Sequence, residues 1–590
     1  MRGHRIAVVT LAGVIGAGCQ GTITDGRGGP GTTGVSVGPD GTPAPTGTGT
    51  MTTPHPPATT MTDQMHIDMM MQAANPDLFA IAQKYFPTTT LGYAPKRMSR
   101  LTRTQLDLTA KSLLPTFLGA TTVAATVPPD PLQTNYEYAA NLSFNAANFT
   151  PYQKWVDGVA ANVRAKPAGV VDCAAMNNSA ACLQTAAKAF VAKAFRGTAS
   201  DAALQRFADF FSTSVGQVGI ADATADLVSL VLMSPSYVFR DEVQTDAAGF
   251  LLPAQRLANL SYTLADAPPE ALGFSSLSPT ASLASAEAVT ATVDKILATP
   301  EARAKLMRFF MSWLEVRDAD AFTIDPTAFP EWTPAVAQAA IDETKAFLTK
   351  QLGAAAPTLK SLTQSTQSFV TSSLASIYGV KNPSATNLVD LDPTQRLGIF
   401  TQPAVIASHS GPTTTRLVKR GVFFVRKVMC MPLGQPPQGV DTTVPANLGG
   451  TERTRVATVT AQSPCNACHT IINPFGFMQE NYDAIGRWRT TDNGLPIDAS
   501  VDVGFLDEGP LSTKTPVDAL KGFTASLRFK QCFARQMFRF YSGRDELPAD
   551  DPTLRTMFFD FANGDEQAIV KLLRTLGNGP TFSQRTEVAP

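Results

Sequence analysis

Residues 289–313 read VTATVDKILATPEARAKLMRFFMSW, and their pattern decides the fold class. Val289, Val293, Ile296 and Leu297 recur at i, i+4, i+7 and i+8, the spacing that lines one face of an α-helix. Thr299-Pro300 then closes that helix and starts another. Threonine offers a hydroxyl to the orphan N–H groups, and proline suits the first helical position, where no N–H is needed. Ala302, Leu306, Phe309, Phe310 and Trp313 carry the apolar face of the second helix. The same grammar recurs along the chain. Thr333-Pro334 opens a helix, and Thr102 with Gln105 forms a capping box ahead of Leu106 and Leu113. A helix over 186–195 stops at Gly197. Phe533, Met537, Phe540 and Tyr541 give a further stripe, and Ile569, Leu572, Leu573 and Leu576 give the last before Gly577. Period-two alternation is scarce. The expected fold is mainly α, a multi-helix body rather than a sandwich or a doubly wound sheet.

The N-terminus reads as an address. Arg2 and Arg5 precede the short apolar stretch Ile6 to Ala17, which is too short and glycine-rich to span a bilayer. It ends Gly16-Ala17-Gly18-Cys19-Gln20, small residues before a cysteine, as at a bacterial lipoprotein cleavage site. The expectation is export, with Cys19 lipidated and the protein held in the periplasm or at the cell surface as an outer-membrane lipoprotein. Residues 20 to about 60 are mostly Gly, Thr and Pro and cannot bury enough apolar surface to fold. They read as a flexible tether. No later stretch is expected to reach membrane-spanning length. Met61, Met65, His66, Met69, Met70 and Met71 follow; they could bind copper, but the simpler reading is the apolar face of a short helix at the domain entrance. The expected divisions are 1–19 signal, 20–72 tether and Met-rich entrance, 73–248 and 249–385 helical domains, and 386–590 a C-terminal domain. Forty-eight basic residues balance 49 acidic ones across 590, with no long basic run, so nucleic acid is not an expected partner.

Cys465-Asn466-Ala467-Cys468-His469 carries the chemistry. Two thiols three residues apart, followed at once by an imidazole, is the pattern that attaches a c-type haem. Cys465 and Cys468 would form thioethers, and His469 would be the proximal iron ligand. The C-terminal region is therefore expected to be a helical, cytochrome-c-like haem-binding region with one covalently attached haem c. Zinc is the alternative: it would find three ligands here, with Cys430 a possible fourth. The chain has seven cysteines. With Cys19, Cys465 and Cys468 assigned, Cys173, Cys182, Cys430 and Cys532 remain, an even number for an oxidising compartment. Cys173 and Cys182 flank a short loop and are expected to close it, and Cys430 would pair with Cys532, although four cysteines allow three arrangements.

Five histidines restrict the options further. His4 and His55 lie in the signal and tether, and His66 in the Met-rich entrance. Only His409 and His469 remain in the body. A second haem lacks its motif, and no Gly-x-Ser-x-Gly turn accompanies His409. The distal iron ligand could be His409, Met478 or Met537, or that position could be open for peroxide or oxygen chemistry. Arg487 is a candidate for haem propionates, and Trp488 for the porphyrin edge.

Several segments resemble large exported proteins of Planctomycetes and myxobacteria built from five consecutive uncharacterised domains. They are Arg100 to Gln105, Leu230 to Arg240, Arg256 to Leu264, Ala298 to Arg303, Phe400 to Ala404, His409-Ser410 and Val418 to Gly421. The most similar part is Cys465 to His469 with Asn473 to Phe477 and Glu480 to Arg487. The resemblance runs over roughly residues 92–590 and implies an exported, largely helical protein bearing haem c. It departs at Thr263-Leu264-Ala265 and at Thr415-Arg416-Leu417-Val418. The leading functional expectation is a membrane-anchored monohaem cytochrome exchanging electrons with a redox partner protein. The alternatives are a haem-dependent oxidoreductase acting on an extracellular substrate, for which the size of the body argues, and a zinc-stabilised surface binding module.

Overall fold

In the computed structural model, the described residues are 61–89, 92–119, 122–133, 136–137, 142–354, 357–381, 386–435, 448–564 and 568–586. Cys19 and the export and tether residues lie outside them. The fold is mainly helical, with 59 % helix against 8 % strand. The strands of the described residues form two-stranded pairs.

The chain begins with α1 (Met61–Ala74) and α2 (Pro76–Tyr85), then β1 (Ala94–Pro95), β2 (Arg97–Arg100) and α3 (Arg103–Leu113). The expected box at α3 forms: Thr102 accepts from the Gln105 N–H at 3.2 Å, and Gln105 returns the bond to the Thr102 N–H at 3.1 Å. Three long helices follow, α4 (Ala146–Ala165), α5 (Ala180–Ala194) and α6 (Asp201–Leu232), and then β3 (Phe239–Glu242). They share a core containing Trp155, Val191, Phe211 and Val228. Cys173–Cys182 closes the loop before α5.

A second core takes α7 (Pro253–Ala265), α8 (Ala286–Leu297), α9 (Pro300–Trp313) and α10 (Pro334–Leu352). The hydroxyl of Thr299 accepts from the Ala302 N–H at 3.2 Å, and that of Thr333 from the Val336 N–H at 3.3 Å, as the Thr-Pro pairs predict. The same core continues through α11 (Pro403–Ser408), α12 (Leu417–Phe423), a π-helical turn (Phe424–Val428), α13 (Glu452–Thr460), α14 (Asn466–Phe477), α15 (Leu527–Ser542), α16 (Asp551–Ala562) and α17 (Ile569–Asn578). Phe309, Phe310, Trp313, Phe400, Phe529 and Phe533 interlock there, with ring centroids 5.1–6.5 Å apart. Aromatic side chains from both the 249–385 and the 386–590 stretches fill this one core. The described residues form a single compact unit.

Two expectations change. α6 is 32 residues long, with a window of mean hydropathy 1.4, so one helix does reach membrane-spanning length and composition. Its Phe211, Leu227 and Val228 are buried in the first core, and Gly219 breaks its helical geometry at φ +82°. In α1, Met71 enters the core, but Met65, Met69 and Met70 are about 60 % exposed, so they are not its buried face. Residues 94–100 also pack on the last described residues. β1 pairs in parallel with β4 (Arg585–Thr586), and Glu242 meets Arg97, Arg240 and Arg585 at 2.7–3.0 Å. Burial alone would raise the Glu242 carboxyl, but the guanidinium groups of Arg585, Arg97 and Arg240 hold it well below the usual range.

Candidate functional site

Cys465, Cys468 and His469 stand at i, i+3 and i+4 at the start of α14, so they share one helix face. All three are half-buried, and both thiols are free. His469 Nδ1 lies 2.8 Å from Asn473 Oδ1, one turn further along. An amide oxygen only accepts, so Nδ1 is the donor and Nε2 takes no part in that bond. Asn473 Nδ2 donates to Thr460 Oγ1 at 2.9 Å, and that hydroxyl donates to the Val456 carbonyl at 2.7 Å. The imidazole is thereby tied to α13 through two polar side chains. This is how a ligating histidine is usually oriented: one ring nitrogen is held by a neighbour, the other is left for the metal.

The helix is seated by α12. At Gly421, a Cβ would come within 2.4 Å of the Ile472 carbonyl; at Gly476, within 2.3 Å of the Leu417 carbonyl. The two backbones therefore touch through reciprocal glycines, an approach no side chain would permit. Beside them, the fully buried Arg420 donates to the carbonyls of Gln479, Tyr482 and Asp483 at 2.7–3.0 Å and to Ser410 Oγ at 2.8 Å. It clamps the turn that leaves α14. Glu452, at the start of α13, accepts from the Leu417 N–H at 3.1 Å and from the Thr415 hydroxyl. Phe475 stacks between Phe424 and Phe523, at 5.9 and 4.5 Å.

Residues 396–492 match the family model PSCyt3, described as a protein of unknown function (DUF1588), and residues 252–380 match PSD4, a protein of unknown function (DUF1592). No curated protein and no solved structure matches the chain. The PSCyt3 match contains all of α12, α13 and α14, and so the Cys465–His469 face, its Asn473–Thr460 support and the Arg420 clamp.

The remaining sequence candidates scatter. Met478 ends the same helix that begins at the motif, about 13 Å along the axis from His469, and is fully buried. Its side chain packs in the second core. Met537 is fully buried on α15 in the second core. His409 Nε2 donates to the Leu314 carbonyl at 3.1 Å, and its ring stacks on Phe423 at 3.9 Å. It lines a cleft to which no residue of the motif contributes. Arg487 is already matched by Asp483 at 3.0 Å and Glu331 at 2.5 Å, and Trp488 packs edge-on against Tyr482. Cys430 is bonded to Cys532, which withdraws it as a zinc ligand. Among the described residues no three His, Cys, Asp or Glu side chains converge on a metal position. Cys465, Cys468 and His469 lie along a helix face instead of around a point.

Reading the sequence by motif missed Asn473, Thr460 and Arg420 as parts of the site. For Asn473 a signal existed: it stands four residues after His469 on an expected helix, within side-chain reach. For Thr460 and Arg420 there was none, because their partners are distant in sequence.

Proposed function

We propose that this chain is an exported, membrane-tethered c-type haem protein acting in extracytoplasmic electron transfer. Cys465 and Cys468 would hold one haem covalently, and His469 Nε2 would ligate its iron. The observation that carries the reading is the Nδ1 contact of His469 with Asn473, which presents a pre-oriented imidazole beside two free thiols. Bound there, the haem supplies one-electron redox chemistry. The chain's own residues orient the ring through Asn473 and Thr460 and seat the helix through Arg420 and the glycine contacts. The name PSCyt3 is consistent with a cytochrome-like character. Export rests on residues 1–19 alone, and the redox partner would be another protein outside the cytoplasm.

The test is expression with and without the c-type maturation machinery. Matured protein should be red and should keep its haem through denaturation, and Cys465→Ala with Cys468→Ala should be colourless. Colourless wild-type protein carrying stoichiometric zinc would overturn the reading.

A further inference from the structure

Helix α1 is fixed to the body along one side. Gln64 and Met71 are buried, and Ile67 packs against the second core. Asp68 meets Arg555 of α16 through both carboxylate oxygens, at 2.7 and 3.2 Å, and accepts from the Gln64 amide at 2.9 Å. Arg555 is fully buried and also donates to the Phe86 carbonyl at 2.8 Å. Positions 64, 67, 68 and 71 follow the helical repeat, so the four residues between them lie on the opposite side.

Those four are Met65, His66, Met69 and Met70, and all are exposed, the methionines to 61, 58 and 60 %. Met65 and Met69 are spaced by four, as are His66 and Met70, and His66 and Met69 by three. Helix neighbours so spaced have Cβ atoms about 5–6 Å apart, and methionine adds three rotatable bonds, so the donor atoms can close on one ion. Burial explains an apolar stripe on the inner side of a helix. It does not explain three methionines held away from the core beside a histidine.

We propose that Met65, His66, Met69 and Met70 bind one Cu(I) ion on the outer face of α1. A thioether carries no proton, so it binds a metal without the deprotonation a thiol needs. Soft sulfur ligands select Cu(I), and imidazole suits copper as well. Zinc or Cu(II) would find one nitrogen and no charged ligand in this set. The Asp68–Arg555 pair keeps the donor face turned outward, where an ion can reach it.

The test uses the full chain with Cys19→Ala, Cys465→Ala and Cys468→Ala, because free thiols would compete for the same ion. That protein cannot attach haem, so this reading and the haem reading fail separately. Cu(I) is supplied without oxygen as its acetonitrile complex, and bound copper is counted after equilibrium dialysis. Binding should saturate at one ion per chain and weaken roughly tenfold or more when Met65→Leu, Met69→Leu and Met70→Leu are combined. Leucine keeps the volume and the helix propensity, and the three side chains are exposed, so the urea midpoint should not move. X-ray absorption at the copper edge should show sulfur neighbours. Met98→Leu with Met176→Leu, at exposed methionines elsewhere, should bind as the parent does. No saturable binding, equal binding by the triple variant, equal loss in the Met98 and Met176 control, a copper shell without sulfur, or zinc held as tightly would each overturn the proposal.

Discussion

Glu343 should make the stability of this protein fall as pH rises from acid to neutral. It lies on α10, 2 % exposed, and its Oε1 accepts from the Tyr378 hydroxyl at 2.5 Å and from the Ser368 hydroxyl. Its Oε2 has no partner. Burial raises the carboxyl to about 7, outweighing the two hydrogen bonds and the charge of Arg396. In the unfolded chain the same group titrates near 4.5. Between those values the folded state holds a proton that the unfolded state has released. The contribution is therefore complete below pH 4.5 and lost as pH passes 7, a change of about 3 kcal/mol. Glu343→Gln cannot titrate. Urea unfolding of both proteins at several pH values from 4.5 to 8 isolates the effect, because every other titrating group is common to the pair. The wild type should lose about 3 kcal/mol relative to Glu343→Gln across that range. Parallel stability curves would refute the reasoning.

Two further outcomes follow from the site. Asn473→Leu removes the acceptor that holds His469 Nδ1–H and should weaken His469 ligation of the iron by roughly 10- to 100-fold, read from the visible spectrum during titration with imidazole, while the haem content set by Cys465 and Cys468 stays unchanged. Gly421→Ala forces a methyl to within 2.4 Å of the Ile472 carbonyl and should destabilise by about 2 kcal/mol, read from the urea midpoint, because neither backbone can retreat without moving its helix.

The helices were legible because their signals are local. Thr299-Pro300, Thr333-Pro334 and Thr102 with Gln105 mark starts through bonds made within three residues, and the capped helices stand where those residues place them. The two disulfides formed in the expected pairing, Cys173 with Cys182 across a short loop and Cys430 with Cys532, although the cysteine count alone left three arrangements open. The face shared by Cys465, Cys468 and His469 follows from helical spacing alone. Methionine in α1 misled because an apolar residue type says nothing about which side of a helix the core occupies.

What only the tertiary structure decided is every contact whose partners lie far apart in the chain. Arg420 reaches carbonyls about 60 positions away, Thr460 meets Asn473 across two helices, and Glu242 joins Arg97 to Arg585. The charges of His409 and Glu343 belong to the same class. Their pKa values depend on how much water packing removes, and packing is set by helices that the local pattern can place in sequence but not in space.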